Sequence, residues 1–372
     1  MRLKRLAIGA MAVAGVAWMA TPGVGSANSG NAGIPRYQHI VEIMMENQSY
    51  GTIIGNSLAP NINALANQYG LATNYYGVTH PSEPNYMASV AGSYFGVQDD
   101  NQFYCTPALA ASDPQCAGTT VDHTVNAPSI ADQLTAADKT WKGYFQSLPA
   151  VVGPVVTSGP GANGPYTFKY PSASNALYAS KHNPFVNFTG TQGALANMVS
   201  DTQLTTDLAS GHLANYSLIV PNQCNDMHGT GGCGSTSLFS LGDSYVAATV
   251  NLITSSQVWK QGNNAIVITW DEDDFSDQGQ LGTGCCGANP GGGHVVTIVI
   301  RNHGSDDGSN GTHIVDNTSY NHYSLLRTME AAFRLPCLAH ACDSVVPTMT
   351  PLFGGRDADR QAAAHHPHRA RR

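Results

Sequence analysis

The stretch "NAIVITWDEDD", residues 264–274, decides the fold. Seven residues rich in β-branched side chains run without a break into Asp271, Glu272, Asp273 and Asp274. An apolar run this short predicts a strand buried on both faces, as in a parallel sheet. The pattern recurs along the chain. "HIVEIMM" (39–45) stops at Glu46-Asn47, "GLATNYYGV" (70–78) at His80-Pro81-Ser82, and "YSLIVPN" (216–222) just before Asn225-Asp226-Met227-His228. "HVVTIVIR" (294–301) begins at a histidine instead. Helical patterns lie between them, including "SYVAATVNLITSSQVW" (244–259) and "HYSLLRTMEAAF" (322–333). This alternation predicts an α/β sandwich around a largely parallel sheet. Ligands of such sheets bind beyond the carboxyl ends of the strands. Here that edge would receive carboxylates, amides, a serine and histidines together.

Each of these groups also has a plain structural reading. The four carboxylates after residue 270 could be a solvated acidic turn, and Glu46-Asn47 a capped turn. Gathered at one edge, they would repel strongly without a cation, and hard oxygen donors suit a divalent one. Ser82 sits in "THPSEPNYMASVAG" (79–92), between Pro81 and Pro84, at the entrance of a predicted helix. Pro84 suits a first helical turn. The serine could be an ordinary N-cap, or a nucleophile held beside an anion site. The company of the other strand ends favours the nucleophile. His228, His294 and His322 stand at element boundaries and form a candidate set for binding phosphate and donating protons. His39, His123, His182, His212 and His313 receive no such role. The loops "GTGGCG" and "GTGCCGANPGGG" lack the Gly-Lys-Ser/Thr ending of a nucleotide-binding loop. No G-x-S-x-G elbow surrounds Ser82, which points to attack on phosphorus rather than on an acyl carbon.

Bulk properties narrow the class. The chain has 372 residues, a formal net charge of −8 and eight cysteines. Arg2, Lys4 and Arg5 before an apolar run (6–20) and a small-residue site at Gly25-Ser26-Ala27 predict a signal peptide over residues 1–27 and export. Many of the other cations lie in the Arg/His-rich end, 355–372, expected to be a disordered tail, so the body is more acidic than the whole. An acidic body argues against a nucleic-acid partner, and no stable protein partner is evident. An oxidising destination lets disulfides persist. Cys105/Cys116 and Cys337/Cys342 are expected as local staples, while the pairing of Cys224, Cys233, Cys285 and Cys286 stays open. From about 99 to 200 the apolar runs are weak, and the region is expected to be an irregular insertion, with "VVGPVVTSGPGANGPYTF" (151–168) its most loop-like part.

Six stretches in order, "IVEIMMENQSYGTIIGN", "HPSEPNYMASVAG", "NDMHG", "ITWDEDD", "GGGHVVTIVI" and "YNHYSLLRTMEAAFRLP", resemble motifs of the bacterial phosphoesterase family. That family contains secreted acid phosphatases and phospholipases C within the alkaline phosphatase superfamily. The resemblance covers about residues 37 to 336. It implies an alkaline-phosphatase-like three-layer sandwich over residues 28–354. It further implies a secreted, metal-dependent acid phosphatase acting on phosphate esters, phosphoinositide headgroups among them, through a phosphoserine. By the same resemblance Ser82 is the nucleophile. Glu46, Asn47, Asp271 and Glu272 are then metal ligands together with Ser82; His228, His294 and His322 are catalytic; His80 and Asn85 bind substrate. Two-zinc members carry Asp-His where this chain has Asp271-Glu272. One divalent ion is therefore expected, with calcium, magnesium or manganese fitting the oxygen donors better than zinc. The alternatives are a phosphodiesterase or phospholipase C using the same serine, and a secreted calcium-stabilised binding protein without turnover.

Overall fold

The computed structural model describes residues 33–100, 123–148, 177–276, 283–289, 291–303 and 313–355. The expected signal peptide, the tail past residue 355, the 151–168 stretch and the Cys105/Cys116 pair lie outside the described residues. The described strands are β1 His39–Met45, β2 Gly70–Tyr76, β3 Trp141–Phe145, β4 Met198–Ser200, β5 Tyr216–Val220, β6 Asn264–Trp270, β7 His294–Arg301, β8 Val315–Asp316 and β9 Tyr320–Asn321. They form one sheet in the order β4-β3-β5-β1-β6-β7-β2-β8, with β9 also paired to β2. The first five of that order are mutually parallel. β7 runs antiparallel to both β6 and β2, which restores the common direction in β2. The carboxyl ends of β1, β2, β5 and β6 therefore share one edge with the amino end of β7.

The central strands are apolar on both faces because both faces are covered. Every residue of β5 and β6 is buried, as is all of β1 after His39. The helices fall into two groups. In one, α1 Tyr50–Ile53 lies against β7, and α2 Pro60–Gln68 packs on a later helix, Leu238–Ser255. The other holds α3 Ser82–Ala91, α4 Ile130–Ala136 and a final helix, His322–Phe333, in mutual contact. With Gln203–Ser210 as α5, the two long helices are α6 and α7. Helix α6 starts six residues before the expected 244 and stops at Ser255. Beyond it, the Ser256 hydroxyl donates to the Ile253 carbonyl and accepts from Trp259 N–H, turning the chain so that Val258 is buried outside the helix.

The 99–200 region departs from the expected irregular insertion, since α4, β3 and β4 all lie within it. Trp141–Phe145 is an interior strand between β4 and β5 rather than part of an irregular insertion. Its sequence, "WKGYF", conceals this. Lys142 reaches Asp207 of α5 at 2.6 Å, and a Cβ on Gly143 would lie 2.5 Å from the Phe145 ring and 3.1 Å from that of Phe185. The charge is neutralised and the glycine is required by close packing, so neither breaks the strand.

Candidate active site

Strand register brings the acidic ends together. Met45 of β1 stands opposite Trp270 of β6, so Glu46 and Asp271 leave the sheet side by side. Asp271 N–H donates to the Met45 carbonyl at 3.0 Å, and Glu46 N–H to the Asp226 carbonyl at 2.8 Å. The loop after β2 then crosses this edge. A Cβ on Gly77 would meet the Asp271 and Gly292 carbonyls at 2.7 and 2.8 Å, so only glycine permits that approach. Pro81 is the N-cap of α3, its bond to His80 is cis, and Ser82 is the first helical residue. No side-chain cap is made at this helix start. The loop is pinned by Asn85, whose Oδ1 accepts from Val78 and Thr79 N–H while Nδ2 donates to the Thr79 carbonyl and reaches Glu272 Oε2.

Ser82 is buried, and its Oγ lies 3.1 Å from Glu46 Oε2 and 3.2 Å from Glu272 Oε1. The amide end of Asn47 that faces the site stands 3.4 Å from Ser82 Oγ, 2.9 Å from Glu46 Oε2 and 3.3 Å from Asp271 Oδ1. As an NH2 it donates to both carboxylates; as an oxygen it would be one more acceptor among acceptors, which requires a cation. On the β6 side, His80 makes ion-pair contacts to Glu272 at 2.7 Å and Asp273 at 3.4 Å and stacks on Phe275. On the β5 side, His182 lies 3.1 Å from Glu46 Oε1 and 3.5 Å from Asp226 Oδ2, its ring stacked on Tyr86 of α3. Lys181, its neighbour, reaches Asp100 at 2.7 Å and His228 Nε2 at 3.4 Å.

The electrostatics follow from burial. Desolvation holds the Glu46, Asp226 and Asp271 carboxyls well above the usual range, with mutual repulsion adding to it, and raises Glu272 less because His80 opposes the rise. Burial, then the Lys181 charge, hold His182 well below its ordinary value and also depress His228. For His80, burial lowers the value, but its bonds to Asp273 and Glu272 outweigh this and raise it to about 9. Glu46 Oε1, Asp226 Oδ2, Asp271 Oδ2 and His182 Nε2 are buried without a well-formed hydrogen bond, the approaches of His182 to Glu46 and Asp226 being ion-pair contacts only. Four such atoms in one cluster, three of them on carboxylates, are a poor arrangement for the protein alone and a good donor set for a divalent ion. Among the described residues no group of three or more His, Cys, Asp and Glu side chains is arranged as a preformed metal site.

A model of the phosphoesterase family matches residues 56–336. The chain belongs to the phosphoesterase family. It is 31% identical over 354 residues to a phosphatidylinositol-3-phosphatase of Mycobacterium tuberculosis, covering 93% of this chain and 94% of that one. An acid phosphatase of Aspergillus fumigatus is 27% identical over 307 residues, covering 81% of this chain and 56% of its own length. Among solved structures, an alkaline phosphatase superfamily protein of Vibrio parahaemolyticus is similar over 88% of this chain and 70% of that one, with TM-score 0.49 and 12% identity.

In this phosphoesterase Glu46, Asn47, Ser82, Asp271 and Glu272 meet at one point, with His80 against them. The other expected histidines stand further out. His322 is buried, donates from Nε2 to the Asp271 carbonyl at 2.6 Å and accepts from Tyr75, so it fixes the strand end. Burial pushes it down to about 4. His294 contacts the Thr73 carbonyl and stacks on Tyr50. His228 donates from Nδ1 to the Gly229 carbonyl, which leaves Nε2 to face Lys181. A Cys224–Cys233 disulfide closes its loop. Asn85 directs its amide to the loop and Glu272. Sequence reasoning put Asp226 at this edge without assigning it a role, missed Lys181, and gave His182 no role.

Proposed function

We propose that this phosphoesterase is a secreted, metal-dependent acid phosphatase that works through Ser82. The observation that carries the reading is the Ser82 hydroxyl held between two buried carboxylates, 3.1 Å from Glu46 and 3.2 Å from Glu272, at the start of a helix. A divalent cation held by Glu46, Asn47, Asp271 and Glu272, with His182 and Asp226 beside them, would lower the pKa of the serine hydroxyl and neutralise phosphoryl charge. Glu46 and Glu272 orient the hydroxyl, and Glu272 takes its single proton as the oxygen attacks. Ser82 Oγ attacks phosphorus in line, the bond from phosphorus to the leaving oxygen breaks, and His80 hands that oxygen a proton. Water then hydrolyses the phosphoserine and regenerates the hydroxyl. The mycobacterial relative's name supports phosphoinositides as one substrate class. The Cys224–Cys233, Cys285–Cys286 and Cys337–Cys342 disulfides support an oxidising destination.

The test is hydrolysis of p-nitrophenyl phosphate at pH 5 to 7, beside Ser82→Ala, with EDTA and with each of magnesium, manganese, calcium and zinc restored. We expect Ser82→Ala to lose activity by at least about 10³-fold while keeping its fold, and EDTA to have a comparable effect reversed by one of the ions. Full activity in folded Ser82→Ala would remove the serine from its role. Preference for bis-p-nitrophenyl phosphate over the monoester would make the enzyme a diesterase.

A further inference from the structure

Lys181 is a lysine buried in an acidic site, and its surroundings assign it a task. It lies in a single 3-10 turn, Ser180–His182, with 6% of its surface exposed. Its charge acts on Glu46, Asp226 and Glu272, yet its ammonium is bonded to none of them. Instead Nζ reaches Asp100 Oδ2 at 2.7 Å and His228 Nε2 at 3.4 Å. The other oxygen of Asp100 accepts from Glu83 N–H at 2.9 Å, the backbone donor directly after Ser82 in the first turn of α3. Asp100 thus bridges a buried ammonium and an N–H of the helix that carries the nucleophile, and its charge is felt by Glu272 and His228. An anion that bonds at once to an ammonium and to a helix-start N–H beside the nucleophile is placed as a phosphoryl group would be.

We propose that Lys181 and Glu83 N–H form the subsite for the non-transferring phosphoryl oxygens, and that Asp100 occupies it in the free protein until substrate displaces it. The inference rests on the phosphatase reading of the same site and adds its anion-binding half. A monoester dianion gains more from this ammonium than a diester monoanion does, so Lys181 also sets preference between the two. A purely structural Lys181–Asp100 pair makes the opposite prediction for Asp100, because losing it would loosen the lysine and weaken phosphate binding.

The experiment measures inorganic phosphate binding by calorimetry, in the Ser82→Ala background so that no turnover is needed, with the protein in magnesium-, manganese- or calcium-containing buffer. Adding Lys181→Met should weaken binding about 10- to 100-fold, the range for a lost charge-assisted hydrogen bond, and Lys181→Arg should recover part of it. Adding Asp100→Ala should tighten binding by about 10-fold. In the Ser82-containing enzyme, Lys181→Met should lower kcat/KM for a monoester at least 10 times more than for a diester. Phosphate binding unchanged by Lys181→Met, weakened by Asp100→Ala, or absent throughout would overturn the proposal. Should Lys181→Met fail to fold, Lys181→Gln and the Asp100 arm decide it. Because the binding arm needs no catalysis, an inactive Ser82-containing protein would defeat the phosphatase reading without deciding this one.

Discussion

At the scale of single residues, His182 shows how much charge one imidazole manages here. It sits between Glu46 and Asp226, sealed from water and stacked on Tyr86. Burial and the neighbouring Lys181 keep it neutral, which is the form that donates a lone pair to a metal. We therefore expect His182→Gln to cost about 10- to 100-fold in kcat/KM and to raise the divalent-ion concentration giving half-maximal activity by a similar factor. A metal titration of both proteins checks this; an unchanged half-saturating concentration would reduce His182 to packing. The carboxylates and the serine of the candidate site could be placed from sequence because each follows an apolar run that announces a strand end. His182 and Lys181 follow no strand. They belong to "SKHNPF" (180–185), a short turn whose position is set by tertiary packing. A signal was nevertheless present: from Lys139 to Ser200 the chain contains lysines and no acidic residue, a cationic span in an acidic protein.

At the scale of elements, β1 carries a feature that pattern reading passes over. Glu42 lies in the middle of this buried strand, accepting from Tyr216 at 2.7 Å through one oxygen while the other has no partner. Desolvation raises its pKa from 4.5 to about 7. The folded state thus holds its proton more tightly than the unfolded state does. The contribution is fully present below pH 4.5, declines as the unfolded chain ionises, and is lost by the time pH passes about 7. The total loss is about 3 kcal/mol. Glu42→Gln removes that slope: relative to wild type it should be more stable at pH 8 than at pH 4. Urea unfolding of both proteins at the two pH values measures the difference, and an equal gap at each would refute the assignment. The same strand explains why the sheet was readable and β3 was not. "HIVEIMM" places one charged residue inside an apolar run, whereas "WKGYF" needs Asp207 and the Phe185 ring from elsewhere to become an interior strand. Periodicity reports local preference, and β3 is made by its neighbours.

At the scale of the whole molecule, the chain concentrates its negative charge where folding least tolerates it. The formal charge is −8, and Glu46, Asp226, Asp271, Glu272 and Asp273 are all buried at one sheet edge. Lys181 and His80 offset part of this, and the unpartnered oxygens show that the offset is incomplete. If the proposed cation completes it, binding must appear as global stability, since the unfolded chain has no comparable site. With free ion at about 100 times its Kd the gain is about 3 kcal/mol. For a chain of this length that corresponds to a fall in Tm of about 5 °C on chelation. Differential scanning calorimetry in the presence of magnesium, manganese, calcium or zinc, then with EDTA, measures it directly. The Glu46→Gln/Asp271→Asn protein supplies the control: its Tm should ignore EDTA and should match or exceed that of the chelated wild type, because two repelling charges have gone. A wild type that melts identically with and without every ion would mean that the protein carries this acidic edge unaided, and the metal-dependent reading would fall with it.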